Sequence, residues 1–313
     1  MTDKKPVLMD HDGGADDLLS LMLLLTMPHI DLLGVAVTPA DSYLPFALEA
    51  TRKILDLLGR SDIQTAGGDL HGVNAFPAAW RAAPHIINAL PILLERDEIK
   101  APLATEPARV FLAKKLREAP QPVTVLMTGP ASNLAAALQN EPSLREKIAE
   151  VVWMAGAVDV PGNVRDYAHN GSAEWNVYWD PPAGKRLLEA NLPLTIFPLD
   201  ATNHVPVDLN FLRRLAKQKQ YTLSDLAVQC WATTINTIPH YDYQYFMWDT
   251  LATGYLGCSE LISFRQLELA VLAGGPNAGQ TILAPGSGQW VNVADKVKVA
   301  AFHEYLLEQF KYF

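Results

Sequence analysis

An acidic stretch near the amino end of the chain carries the side chains best suited to chemistry. Residues 10–17 read Asp-His-Asp-Gly-Gly-Ala-Asp-Asp, so four carboxylates fall within eight positions. Crowded like charges are costly unless a cation compensates them, and carboxylate oxygens suit a hard divalent ion. The glycines let neighbouring side chains converge, although aspartates in a first helical turn are also ordinary helix-dipole partners. The stretch indicates a metal site, with helix capping as the alternative.

Two known classes of acidic loop match this stretch less well. An EF-hand loop needs an oxygen ligand at its fifth position and glutamate at its twelfth, where this chain has Gly14 and Leu21. A phosphatase of the haloacid dehalogenase type would use Asp10 and Asp12 as nucleophile and acid, but Gly14 stands where threonine or valine is expected. The EF-hand is excluded, and a metal-dependent phosphatase remains the weaker alternative.

The predicted elements place this acidic loop at the edge of a sheet. Residues 6–9 form a buried apolar run and residues 16–27 an apolar helical pattern that Pro28 ends. The loop therefore follows the carboxyl end of a strand, where open α/β sheets bind their ligands. Further strands are predicted at residues 30–38, 122–127, 148–154, 192–199, 261–272 and 281–283, and helices at residues 42–58, 293–310 and most of 223–255.

This alternation predicts an α/β fold with an open, mostly parallel central sheet flanked by helices. No repeat or linker divides the chain, so we expect one domain over residues 1–313. Residues 67–107 are rich in Gly, Pro and Ala and predict a long surface excursion that carries Trp80. Residues 200–203 form a polar loop after a strand, to which the sequence assigns no role.

Composition excludes several classes of function. With 49% hydrophobic and 19% charged residues the chain has material for a large core. Its net charge of −9, without a basic stripe, argues against nucleic acid as a partner. Residues 1–6 lead into no signal-peptide pattern and the apolar run 18–27 is too short to cross a bilayer, so we expect a cytoplasmic protein. Cys230 and Cys258 lack zinc-ligand spacing and are expected to be buried thiols.

Several short motifs along the chain, together with the acidic loop, match the pattern of one known family. That loop resembles the aspartate signature of the nucleoside hydrolases, and further blocks extend the resemblance over nearly the whole sequence. The blocks are Thr128-Gly129-Pro130 with Asn133, Met154-Ala155-Gly156-Ala157, Gly162-Asn163-Val164, Ala173-Glu174-Trp175-Asn176 and Trp248-Asp249. Trp80, Trp248 and the wording Glu174-Trp175-Asn176 most resemble the group that prefers inosine, adenosine and guanosine. The resemblance implies the Rossmann-like fold of that family.

The resemblance also implies a metal site and a sugar site. Calcium would be held by Asp12, Asp17, Asp249 and the backbone carbonyl of Thr128, an all-oxygen set of the kind that Ca²⁺ prefers. The implied ribose contacts are Asp16, Asn163, Glu174 and Asn176. Asp249 is implied to bind substrate as well as metal, and Asp41 matches a position near the base. Taken singly, Asn163 and Asn176 could be turn residues and Glu174 a helix cap.

The implied reaction is hydrolysis of the N-glycosidic bond of purine ribonucleosides. It passes through an oxocarbenium-like state, which requires an activated water, a stabilised sugar cation and a departing base. Asp12 is the candidate general base. Trp80 and Trp248 are implied to stack on the purine and ease its protonation, although a lone tryptophan is more often a core residue.

The proton donor for the leaving base stays open. Relatives that prefer pyrimidines or accept many bases have a histidine just before the aspartate that matches Asp249, where this chain has Trp248. His240 or solvent is the candidate instead. The family further implies a homo-oligomer, expected to be a dimer. A non-catalytic nucleoside or ribose binder is the alternative from another class, and the intact Asp12 argues against it.

Overall fold

The computed structural model describes residues 4–165, 169–234 and 244–313. Strands and helices alternate along these ranges, as the sequence predicts. The strands are β1 (Lys5–His11), β2 (Ile30–Val37), β3 (Thr65–Gly67), β4 (Val123–Met127), β5 (Ile148–Met154), β6 (Leu194–Phe197), β7 (Pro206–Val207), β8 (Tyr245–Phe246), β9 (Ile262–Val271), β10 (Thr281–Leu283) and β11 (Gln289–Val297).

In the described ranges the α-helices cover both faces of the sheet, and the 3₁₀ segments Pro142–Lys147 and Ser259–Leu261 precede β5 and β9. The helices are α1 (Ala15–Leu25), α2 (Leu44–Leu57), α3 (Ala83–Asn88), α4 (Pro91–Leu94), α5 (Ala108–Glu118), α6 (Ser132–Asn140), α7 (Trp175–Trp179), α8 (Pro181–Leu188), α9 (Leu199–Thr202), α10 (Leu209–Ala216), α11 (Thr222–Thr234), α12 (Trp248–Cys258) and α13 (Val299–Gln309). Within the described ranges no helix is both long and apolar enough to span a membrane.

One large sheet forms the centre of the fold. Its strand order is β10-β9-β11-β6-β5-β4-β1-β2-β3. Neighbours from β11 to β3 are parallel, and β9 and β10 pair antiparallel at one edge. The predicted open, mostly parallel sheet flanked by helices is therefore confirmed.

Alternation along the central strands builds a core on each face of the sheet. In β1, Val7 and Met9 pack into the cluster that contains the apolar helix α1, whereas Leu8 packs into the cluster on the other face. Successive side chains of a strand point to opposite faces, and a parallel sheet covered on both sides needs apolar residues at both. The result is a rigid strand that ends in the acidic loop.

Two regions differ from the sequence prediction. The helix predicted over residues 293–310 was wrong at its start, because β11 runs to Val297 and α13 begins at Val299. Val291 and Val293 are buried on either side of the half-buried Asn292, a period of two that fits strand pairing with β6 and β9. Residues 67–107 contain the short helices α3 and α4 and are tied to the body, for example by Asn88 Nδ2 donating to the Phe46 carbonyl at 3.1 Å.

Candidate active site

A cavity opens at the carboxyl ends of the central parallel strands. It encloses about 910 Å³ when the open solvent at its mouth is included. Its polar wall consists of Asp12, Asp17, Asp41, Thr128, Glu174, Asn176, Thr233, Thr234 and Asp249. Its apolar and aromatic wall consists of Phe76, Ala79, Trp80, Ala83, Ile86, Met154, Trp175, Tyr245 and Trp248, and Gly14 and Ala15 complete the lining.

Two glycines let the acidic loop fold tightly over the strand ends. Gly13 has a φ of +84°, and a Cβ there would lie 2.4 Å from Cβ of Ala47. Gly129 follows β4, and a Cβ on it would come within 3.0 Å of Asp12. A side chain at Gly13 would clash with Ala47 and strain the backbone, and one at Gly129 would crowd Asp12. The close approach brings Asp12 beside the turn after β4.

Asp17 both caps its helix and faces the cavity. Its Oδ2 accepts the backbone N–H of Gly14 at 2.8 Å, and its Oδ1 accepts the Thr128 hydroxyl at 2.5 Å. The capping interpretation and the metal-site interpretation of this aspartate are therefore compatible.

Burial and mutual repulsion dominate the electrostatics of the polar wall. Burial, reinforced by the charges of Asp17 and Asp41, raises the pKa of Asp12 well above its usual range. Burial and then the nearby aspartates also raise the pKa of Asp249. The pKa of Asp41 rises to about 7 through burial and the charge of Asp17, with Arg81 opposing the shift. Among the described residues that line the cavity, none is Lys, Arg or His.

This wall has the donor types that a hard cation requires. Asp12, Asp17, Asp249 and Thr128 come from three separate parts of the chain and line the same cavity. A divalent cation would offset the unpaired negative charge, and oxygen-only donors suit calcium better than a soft metal. In the ranges that the structure describes, no three acidic, histidine or cysteine side chains already stand at ligand spacing. These donors therefore have the right chemistry for a cation, and they would have to move closer together to coordinate it.

Asp16 lies beside the cavity without lining it. Its Oδ2 accepts the backbone N–H groups of Asp249 at 2.6 Å and of Thr250 at 3.0 Å, and its Oδ1 accepts the Thr250 hydroxyl. It thereby satisfies donors at the start of α12 that the helix itself leaves unpaired. Asn163 is also outside the lining, and its Oδ1 accepts the N–H of Trp175 at 3.1 Å. Ribose contacts by Asp16 and Asn163 stay predictions.

Glu174 and Asn176 lie in the cavity wall at the start of α7. The Glu174 carboxylate accepts backbone N–H groups from Gly156 at 3.0 Å and Asn176 at 2.8 Å, so it is a helix cap as well as a cavity residue. The Asn176 Nδ2 donates to the carbonyls of Thr128 at 3.0 Å and Met154 at 3.1 Å. Asn176 therefore holds the carbonyl of Thr128 in place.

Asp10 lies beneath the site and is 1% exposed. Its Oδ1 accepts from Thr38 Oγ1 and from Asn133 Nδ2, each at 3.1 Å. Burial raises the pKa of this carboxyl to about 7. The phosphatase alternative needs Asp10 as a nucleophile, and a carboxyl enclosed beneath the cavity is not placed to attack a ligand inside it.

Aromatic side chains line the cavity in two groups. Trp80 packs against Phe76 and Trp175, with ring centroids 6.3 and 5.2 Å away. Trp248 packs against Tyr245 with centroids 4.7 Å apart and ring planes inclined at 70°. Trp80 and Trp248, which are 168 positions apart in the sequence, thus line one cavity. Both contribute aromatic surface to the lining, which is the kind of surface that suits a flat ligand.

An α/β protein with an acidic, aromatic-walled cavity at the carboxyl edge of its sheet binds small molecules there. The family model described as inosine-uridine preferring nucleoside hydrolase matches residues 7–304. This chain therefore belongs to that family, and the resemblance seen in the sequence is confirmed.

Solved and curated relatives agree with the family. The inosine-uridine preferring nucleoside hydrolase from Bacillus anthracis superposes with a TM-score of 0.93 at 37% identity, over 98% of this chain and 99% of that one. A purine-preferring ribonucleoside hydrolase from Gardnerella vaginalis shares the fold, with a TM-score of 0.80 at 23% identity over 98% of both chains. Pyrimidine-specific ribonucleoside hydrolase RihA of Citrobacter koseri is 32% identical over 215 residues. That match spans 64% of this chain and 62% of the relative.

The sequence analysis did not assign several residues to the site. Thr233, Thr234 and Tyr245 line the cavity, and Asn203 contacts a residue of its wall. Asn203, in the polar loop at residues 200–203, accepts the indole N–H of Trp248 at 2.9 Å. The sequence shows Asn203 as a polar residue soon after a strand, but it does not show that Trp248, 45 positions away, is its hydrogen-bond partner. His240 lies outside the described residues.

Proposed function

We propose that this protein hydrolyses the N-glycosidic bond of ribonucleosides, preferring purines, and releases ribose and the free base with the help of calcium. The observation that carries the proposal is one cavity with two opposed chemistries. Its polar wall offers carboxylates and amides, which suit a sugar and a cation, and its other wall offers tryptophan rings, which suit a flat base. Membership of the nucleoside hydrolase family supports the reaction class.

In this proposal Asp12, Asp17, Asp249 and the Thr128 carbonyl hold the calcium ion. A bound Ca²⁺ supplies Lewis-acid chemistry that lowers the pKa of a water it coordinates. Asp12, which lines the cavity beside these donors, would accept the proton of the attacking water. The other carboxylates of the wall favour positive charge as it develops on the sugar.

The ribose would bind against the polar wall. Glu174 and Asn176 face the cavity from the start of α7, where backbone bonds fix both side chains before substrate enters. Fixed donors and acceptors bind a sugar hydroxyl without the entropy cost of ordering a loop. Asp249 adds an acceptor beside them, and we propose that Asp41 approaches the base.

The preference for purines rests on Trp80 and Trp248. A purine offers a larger flat surface than a pyrimidine, so stacking on indole rings favours it more. The names of the relatives point in more than one direction, since the Citrobacter koseri protein is called pyrimidine-specific and the Bacillus anthracis protein inosine-uridine preferring. The ratio of kcat/KM for purine and pyrimidine nucleosides distinguishes these two kinds of relative.

The test is release of ribose from inosine, adenosine, guanosine, uridine and cytidine, with calcium and after chelation. We expect release from the purine nucleosides, a smaller rate with uridine and cytidine, and loss of release with the chelator. The matched control is Asp12→Asn, which keeps the size of the side chain and removes the proton acceptor. Higher kcat/KM for uridine than for inosine would refute the purine preference, and no release from any nucleoside would refute the hydrolase.

We further propose that the protein acts as a homo-oligomer, most simply a dimer, in the cytoplasm. Light scattering of the eluting peak in gel filtration measures the first point. Fractionation of the source cells measures the second.

A further inference from the structure

The residue that follows α9 is hydrogen-bonded to the wall of the cavity. Trp248 Nε1 donates to Asn203 Oδ1 at 2.9 Å. Asn203 is the residue that ends α9, the four-residue helix directly after β6. The cavity residue Trp248 thus depends on a side chain that does not itself line the cavity.

Backbone hydrogen bonds join the segment that follows Asn203 to the segment that precedes Trp248. Met247 N–H donates to the Val205 carbonyl at 2.9 Å, and β7 pairs antiparallel with β8. Asn203 itself is held by its N–H, which donates to the Leu199 carbonyl at 3.1 Å. The bond to the indole therefore lies at the end of a short two-stranded ribbon whose parts are fixed before substrate binds.

Tyr245 and Phe246 pack against the Trp248 ring, with centroids 4.7 and 5.7 Å away. The indole N–H adds a directional contact, because it points at the Asn203 oxygen. Replacing that acceptor would remove a hydrogen bond from a half-buried group, which carries a desolvation penalty. Asn203 therefore favours the ring orientation in which the N–H faces its side chain.

We propose that Asn203 is a positioning residue that sets the plane of the Trp248 ring and thereby the preference of the site for purine leaving groups. This inference rests on the proposed function. A purine gains from stacking only when the ring presents its face to the base, whereas a smaller leaving group depends less on that orientation. Asn203 acts only through Trp248.

Four variants test the inference: Asn203→Leu, Asn203→Asp, Trp248→Phe and the double variant of Asn203→Leu with Trp248→Phe. Leucine is close to asparagine in size and removes the acceptor, aspartate keeps an acceptor, and phenylalanine keeps a ring without the N–H donor. The substrates are inosine, uridine and p-nitrophenyl riboside, whose leaving group departs without a proton. The readouts are kcat and KM for each, together with solvent exchange of the Trp248 indole N–H by NMR.

We expect Asn203→Leu to lower kcat/KM for inosine by about 10-fold, the equivalent of one lost hydrogen bond, with losses under about twofold for the other two substrates. Asn203→Asp should stay near the wild-type value, and the indole N–H should exchange faster only in Asn203→Leu. In the Trp248→Phe background the leucine change should add nothing, because the donor is already gone. An equal loss on all three substrates, or a full effect in that background, overturns the inference.

Failure of the inference differs from failure of the proposed function. If the wild-type protein releases ribose and Asn203→Leu matches it on inosine, only the inference falls. If the wild-type protein releases no ribose from any nucleoside, the proposed function falls and with it the role in base preference. The exchange of the indole N–H still decides, in that case, whether Asn203 holds the ring.

Discussion

The carboxylate of Asp16 accepts the backbone N–H of Asp249 at 2.6 Å, across 233 positions of the chain. It also accepts the N–H and hydroxyl of Thr250. The start of α12, which carries Asp249 into the cavity wall, is therefore capped by a residue of α1. Two proposed metal ligands, Asp17 on α1 and Asp249 on α12, are positioned together by this contact.

Replacing Asp16 should separate this structural role from a contact with ribose. Asp16→Ala removes every acceptor, so we expect a loss of about 1–3 kcal/mol in the free energy of unfolding and weaker calcium binding. Asp16→Asn can still accept the backbone N–H groups and donate to the Thr250 hydroxyl, so it should remain close to wild type in stability. Denaturant unfolding and calcium titration measure both. A raised KM in Asp16→Asn with unchanged stability and calcium affinity would instead indicate a ribose contact.

The sequence predicted best those strands and helices that a local pattern of apolar residues specifies. The strands predicted at residues 148–154 and 281–283 have those bounds in the structure, because short apolar runs between turn residues specify them. The acidic stretch was placed correctly at the carboxyl end of β1 for the same reason, but the strand continues to His11 and α1 begins at Ala15. What the sequence could not give is pairing at a distance: β7 and β8 are two residues each, and no local pattern marks them.

Contacts between distant side chains of the candidate site were likewise not predictable from the sequence. The types at Asp12, Asp17 and Asp249 predicted a shared site, and all three line one cavity. The sequence could not tell that Asp16, adjacent to Asp17, points to α12, because that depends on how two helices pack. Nor could it link Asn203 to Trp248, since an asparagine after a strand is equally consistent with an ordinary turn.

The buried carboxyl of Glu174 should make stability depend on pH. Burial raises the pKa of Glu174 from 4.5 to about 7, against the opposing effect of the N–H groups it accepts. The folded state then binds this proton more readily than the unfolded state, so the group favours folding below its unfolded pKa and loses that contribution as pH rises through about 7.

Glu174→Gln removes this titration and keeps an acceptor for the helix cap. We therefore expect the variant to lose less stability than the wild type between about pH 5 and about pH 8 in the absence of metal. Thermal unfolding of both proteins across that range measures the stability of each. Subtracting one curve from the other removes the contribution of the acidic groups that they share. Parallel curves for the two proteins would show that Glu174 does not titrate there.

Calcium should stabilise the fold as well as support turnover. A cation that binds only the folded state adds about 2.7 kcal/mol at a concentration 100 times its Kd. It should also reduce the mutual repulsion of Asp12, Asp17 and Asp249, which share the cavity wall. We expect chelation to lower Tm in the wild type and added Ca²⁺ to restore it, with a much smaller shift in Asp249→Asn. An equal shift in both proteins would place the ion elsewhere.

Nucleoside 5′-phosphates should be poor substrates. The cavity wall carries Asp12, Asp17, Asp41, Glu174 and Asp249, and no Lys, Arg or His lines it among the described residues. A phosphate dianion beside these carboxylates would meet like-charge repulsion, which costs several kcal/mol at a binding site. Bound calcium would offset only part of that charge. We therefore expect kcat/KM for inosine 5′-monophosphate to be at least about 100-fold below that for inosine, measured as release of hypoxanthine. Comparable rates would mean that the phosphate stays outside the cavity or finds a cation there, and the polar wall could not then be what selects the substrate.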